Sequence, residues 1–171
     1  PFVLVLLTVA KKVGGDQLVF NLSLVSDYQA VNGSLLSHWS MIPAALAMLL
    51  VIPAEVGTQP FDVAEAENEI CEGPLVEYSG SPLALFKLSI NMKMIIMTGL
   101  FTSMFLGGIR TDFVALDAVL FVIICIAVML VSITTIHAVT ARLKIEHLFK
   151  FYWTVVAGLA LVSTILVWIG M

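Results

Sequence analysis

Apolar residues in this chain fall into long runs separated by short polar segments, and the length of each run sets the element it predicts. A helix rises about 1.5 Å per residue, so roughly 20 apolar residues are needed to cross a bilayer. Pro1 to Ala10 is too short for that and predicts the last half of a helix whose start is expected upstream, with Lys11 and Lys12 marking its exit. From Gly14 to Ser34 the chain is mixed. Leu18, Phe20, Leu22 and Leu24 alternate there, which fits either an interfacial strand or a turn of amphipathic helix. Complete spans are predicted over 35–53, 83–106, 113–137 and 151–171, with an acidic loop over 54–82 and a basic connector over 138–150. The expected fold is all-α: one membrane domain over 1–171, a multi-pass transmembrane bundle of four complete spans and part of an N-terminal one.

Polar residues inside the spans refine this picture. Pro43 predicts a kink in the first span, because proline removes a backbone donor and crowds the preceding turn. Trp39 reads as an interface anchor, and His38 beside it as an interfacial histidine rather than a metal ligand. In the second span Lys87 lies near the start and can snorkel to the surface. Lys93 lies about 15 Å along the helix, where a cation costs several kcal/mol unless it faces protein or water and meets a carboxylate. Asn91 shares that site in this reading. Lys93 is then either a proton-relay or charge-coupling residue or half of a structural ion pair. Asp117 could meet it if the helices pack at compatible depth, but reads more simply as a helix-start carboxylate. Tyr152 and Trp153 read as interface aromatics opening the last span.

The segment from Ile52 to Gly80 holds seven carboxylates, Glu55, Asp62, Glu65, Glu67, Glu69, Glu72 and Glu77, and no Lys or Arg. Asp62 is a good N-cap with Glu65 in capping-box spacing, and Gly73 followed by Pro74 is a stop, so a short helix is predicted from Val63 to Glu72. Glu65, Glu69 and Glu72 share a face of it and repel one another. An external cation, a partner's basic groups or carboxyl protonation is needed to relieve them, and carboxylates held close in a partly dry site cannot all ionise. Threading the spans places this loop on the same side as Arg142 and Lys144, and opposite Lys11, Lys12 and Arg110.

Composition narrows the function classes. The chain has 171 residues, 60% hydrophobic and 12% charged, with a mean hydropathy of +1.07, which is outside the range of soluble domains. Its net charge of −4 comes almost wholly from the acidic loop, so no basic patch exists on which nucleic acid could rest. Two cysteines, Cys71 and Cys125, cannot furnish the four thiolates of an iron–sulfur cluster or structural zinc site. No nucleophile–base pair, metal triad or nucleotide loop suggests catalysis in this chain. A stand-alone transporter would use Lys93 and Asn91, but no broken-helix pair or inverted repeat supports one.

Pro60 to Gly80, PFDVAEAENEICEGPLVEYSG, resembles the signature loop of the membrane anchor subunit of respiratory complex I, called subunit 1. The similarity continues through PLALFKLSINMKMIIMTGLFTSMFLGG, Pro82 to Gly108, and returns at ARLKIEHLFKFYW, Ala141 to Trp153. It implies an all-helical cell-membrane subunit, corresponding to the C-terminal half of that family, with the acidic loop cytoplasmic. Such a subunit docks a redox arm onto a membrane arm and begins the chain of ionisable groups that moves protons or sodium ions. By position, Glu55, Asp62, Glu65, Glu67, Glu69 and Glu77 match its acidic residues, and Lys93 joins them as a coupling residue. Pro60, Phe61, Glu72, Tyr78, Arg142 and Lys144 are expected to face the redox arm.

Two departures matter. Complex I members place an Asn-Arg pair before the proline, where this chain has Gly57, Thr58 and Gln59; they carry a glutamate in the following helix where it has Ile90. Both remove charges lining the quinone chamber, and the Gly-Pro-Leu-Val-Glu-Tyr-Ser-Gly ending is closer to membrane-bound hydrogenases that take electrons from ferredoxin. The resemblance therefore implies no cofactor in this chain, and iron–sulfur clusters with a nickel-iron site in partners: a hydrogenase-like large subunit and an iron–sulfur small subunit. Antiporter-like membrane subunits complete the expected assembly. A quinone-reducing complex, a sulfur-reducing relative and a non-conducting scaffold are the alternatives.

Overall fold

The computed structural model describes residues 1–15, 17–58, 61, 77–107, 113–134, 136, 138 and 145–170. Helix α1, Phe2–Gly14, carries Lys11 and Lys12 in its last turn, beyond the expected limit at Ala10. Cations there meet the negative end of the helix dipole. The segment that alternation left open contains a helix, α2, Leu22–Asn32. Asn21 caps it in extended conformation, its side chain accepting the Ser23 N–H at 3.0 Å.

Two 3-10 turns, Leu35–Ser37 and Trp39–Met41, lead into α3, Ile42–Val56. The expected kink at Pro43 does not arise. Pro43 stands in the first turn, where its missing N–H has no intrahelical acceptor to leave empty. Pro53 is the proline inside the helix, and it leaves the Leu49 carbonyl without its usual amide. Ser132 Oγ donates to that carbonyl at 2.7 Å, and the Tyr152 phenol donates to its neighbour, the Leu50 carbonyl. The helix closes at Gly57, whose φ of 79° and ψ of 32° suit a residue without Cβ. The Gly57 and Thr58 N–H groups both bond to the Pro53 carbonyl, at 3.0 and 3.1 Å.

Helix α4, Ser81–Phe101, passes into a π-helical turn, Thr102–Leu106; α5, Val114–Met129, into another, Leu130–Thr134. Helix α6, Ile145–Phe151, continues through a π turn, Tyr152–Val156, into α7, Ala157–Trp168. Among the described residues four helical runs are long and apolar enough to cross a membrane: Trp39–Val56, Ser81–Leu106, Val114–Thr134 and Glu146–Trp168. The last begins within the segment expected as connector. Among the described residues there is no strand.

Helix α3 is packed against α1, α4 and α7. Ala44, Ala45 and Ala47 of α3 and Ala157 and Ala160 of α7 are buried, and small residues let backbones approach closely where lipid offers no hydrophobic drive between helices. Hydroxyls join the same elements: Ser163 Oγ donates to the Ser40 carbonyl at 2.6 Å, and Thr8 and Thr164 share a hydrogen bond of 2.8 Å. Helix α5 differs, with Val119, Ile123 and Ile126 each more than half exposed on a run of mean hydropathy 3.1, a face suited to hydrocarbon. One end of the bundle gathers Phe2, Glu55, Phe61 and Tyr152. The opposite end has the Lys11 ammonium 5.2 Å from the Trp168 ring centroid, and Trp39, 87% exposed, as an interface aromatic.

Gln29, 1% exposed, ties α2 to α4 by donating from Nε2 to the Ser103 and Met104 carbonyls of the first π turn at 3.2 and 2.7 Å. Replacing it with Leu leaves those carbonyls unpaired and should lower stability by about 1–3 kcal/mol. Thermal unfolding of the solubilised protein measures this; an unchanged midpoint would show that these bonds do not hold α2.

Candidate functional site

The last turn of α3 is fixed at both sides, by Pro53 with its borrowed donors and by the Gly57 closure. Glu55 lies between them. Lys93 of α4 reaches it, Nζ to Oε2 3.9 Å, with side chains 51% and 47% exposed. A pair this long and this wet stabilises by at most about 1 kcal/mol, so its interest is position rather than strength. Counted along α4, Lys93 stands about 18 Å from Ser81. Measured against α3 it is level with the final turn, because α4 is mostly exposed from Ser81 to Ile96 and packs from Met97 onward. The carboxylate that Lys93 requires is therefore Glu55 and not Asp117, which sits in the first turn of α5.

A cavity of about 580 Å³ opens beside the pair, lined by Val51, Glu55, Phe61, Lys93, Leu148 and Tyr152 among others. Two expectations change here. Phe61, expected to face a partner, is 8% exposed and sets its ring edge-on to Tyr152 at 5.5 Å and 81°. Its N–H bonds to the Thr58 carbonyl at 2.8 Å, a turn that folds the ring back onto the bundle. Tyr152, expected as an interface aromatic, is turned inward to bond Leu50, while the adjacent Trp153 is 66% exposed and keeps the interface role.

Glu77 is exposed, and Tyr78, 43% exposed, packs on Phe86 with ring centroids 5.0 Å apart; neither lines the cavity. Pro60, Asp62, Glu65, Glu67, Glu69, Glu72, Arg142 and Lys144 lie outside the described residues, as do Cys71, Arg110, His137 and the helix expected over 63–72. Among the described residues no three His, Cys, Asp or Glu side chains could hold a metal ion. Sequence reasoning missed Ser132 and the inward role of Tyr152. The available signal was Pro53, since a second proline within an apolar run demands a donor from another helix.

Chemically, the site combines a carboxylate, an ammonium and a phenol around a space with room for water. The opposite charges of Glu55 and Lys93 attract one another beside that space.

The family described as NADH dehydrogenase matches residues 1–168. Formate hydrogenlyase subunit 4 of Escherichia coli is 33% identical over 163 residues, covering 90% of this chain and 50% of that protein. Hydrogenase-4 component C of the same organism is 41% identical over 96 residues, covering 54% of this chain and 30% of that protein. A subunit of the NADH-quinone oxidoreductase of Deinococcus deserti is 31% identical over 149 residues, covering 82% of this chain and 37% of that protein. A chain in the structure of the membrane-bound sulfane sulfur reductase, an archaeal respiratory membrane complex, superposes with a TM-score of 0.86 at 28% identity, covering 97% of this chain and 54% of that one. The chain thus spans half or less of the curated relatives named here.

The pairing is open to a direct chemical test. A carbodiimide activates Glu55 for attack by the Lys93 amine, and mass spectrometry of membranes so treated should find the peptides containing them joined by an amide. Glu55→Gln should abolish the product, and its absence from the unaltered protein would contradict the geometry.

Proposed function

This chain belongs to the NADH dehydrogenase family, as a membrane subunit of the subunit 1 type, and from that membership we propose that it couples electron transfer in a redox arm to ion movement through the membrane arm. The observation that carries the reading is the Glu55–Lys93 pair at the cavity that also receives Phe61, the residue preceding the carboxylates of the acidic loop. A change of charge in an arm docked over that loop would alter the charge on the loop carboxylates and, through it, the field at the Glu55–Lys93 pair. Asp62, Glu65, Glu67, Glu69 and Glu77 then act as the acidic approach on the cytoplasmic side. Pro60, Glu72, Tyr78, Arg142 and Lys144 serve as docking contacts, and Lys93 as the cation that answers Glu55.

Within the family the hydrogenase branch is favoured. Two hydrogenase-type relatives are 41% and 33% identical, and the sequence lacks charges that line a quinone chamber. The proposed assembly supplies nickel-iron and iron–sulfur centres from partner subunits and takes electrons from ferredoxin. The likeness to the sulfane sulfur reductase chain, at a TM-score of 0.86, favours a second reading in which the same anchor serves a sulfur-reducing arm.

Tagging the subunit, solubilising membranes in mild detergent and analysing the co-purifying proteins and metals tests this. Nickel and iron, with hydrogen evolution from reduced ferredoxin, are expected. Iron–sulfur subunits without nickel would select the sulfur-reducing or a quinone-reducing arm, and stable recovery of the subunit alone would overturn the proposal.

A further inference from the structure

The end of α3 that carries Glu55 is not held by its own hydrogen bonds alone. Pro53 removes the amide that would close on the Leu49 carbonyl, and an unpaired carbonyl in a dry bundle costs free energy of the order of a lost hydrogen bond. Two side chains from other helices donate at this point, one to the freed carbonyl and one to the carbonyl beside it. Ser132 donates to Leu49 at 2.7 Å, and Tyr152 donates to Leu50 one residue on. Both stand in π-helical turns, Leu130–Thr134 and Tyr152–Val156. A π turn adds a residue to the turn and so re-aims the side chains in it, and here the re-aimed groups are the two donors. Tyr152 also touches the site itself, lining the Glu55–Lys93 cavity and holding the Phe61 ring.

We infer that Ser132 and Tyr152 are positioning residues for Glu55: by anchoring the carbonyls just before Pro53 they set where the last turn of α3 lies, and hence whether Glu55 meets Lys93. The inference rests on reading Glu55 as a coupling carboxylate for its functional meaning, but its geometric content stands separately. Because the turn is held by side chains from two other helices, a shift in either π turn moves Glu55 relative to α4. The relay from redox arm to membrane arm thus has a mechanical component lodged in Ser132 and Tyr152 as well as an electrostatic one.

Reductive dimethylation of the purified complex reads the consequence, since an amine held by a carboxylate reacts more slowly. Lys87, exposed on the same helix, serves as internal reference. Tyr152→Phe, which keeps the ring against Phe61 and deletes only the phenol, and Ser132→Ala should each raise Lys93 modification relative to Lys87. The expected rise is about two- to fivefold, the size of effect a half-exposed ion pair exerts, and should approach that of Glu55→Gln. Ser132→Thr retains a hydroxyl donor and should stay at the unaltered ratio. Unchanged ratios in Tyr152→Phe and Ser132→Ala, with Glu55→Gln raised, would overturn the inference, as would a Glu55→Gln ratio that does not rise. Normal ion translocation by Glu55→Gln would remove the coupling reading while leaving the labelling result in force.

Discussion

A single missing amide shapes the end of α3 that carries Glu55. Pro53 opens the hydrogen-bond ladder of α3 near its end, leaving the Leu49 carbonyl without its helical amide. The Ser132 hydroxyl is the donor brought to it, and the Tyr152 phenol reinforces the same turn through the neighbouring Leu50 carbonyl. With those bonds made, three helical runs share one fixed point, and the final turn leaving it carries Glu55.

Charge is handled in a complementary way. Lys93 could not sit in hydrocarbon without a partner, yet it is not sunk in the bundle: α4 runs beside α3 so that the ammonium meets the carboxylate at the end of α3, next to the cavity. The pair is half-exposed and correspondingly weak. The opposite end is built differently, with Lys11 over Trp168 and Trp39 exposed as aromatic anchors at an interface.

Much of this was legible in the residues. Apolar runs near 20 residues pointed to the four spans, and an intramembrane lysine implied a nearby carboxylate. The family match over residues 1–168 agrees with the resemblance carried by the loop and connector motifs. Other features turn on three-dimensional register that spacing does not encode. Glu55 as the partner of Lys93 depends on how far α4 extends past α3. The proline that opens the ladder is Pro53 rather than Pro43, because 3-10 turns delay the start of α3 and leave Pro43 in its first turn. Tyr152 looked like an interface aromatic beside Trp153, but a π turn rotates it inward. The segment from Asp62 to Val76, richest in carboxylates, is legible only as sequence.

The central claim is that Glu55 lies on the route by which redox chemistry drives ions. The most direct measurement is ion uptake per electron transferred in proteoliposomes carrying the purified complex with Glu55→Gln, beside the unaltered complex and with subunit composition checked in both. The account predicts full assembly and electron transfer with a several-fold lower ion-to-electron ratio. An unchanged ratio in a fully assembled Glu55→Gln complex would contradict it.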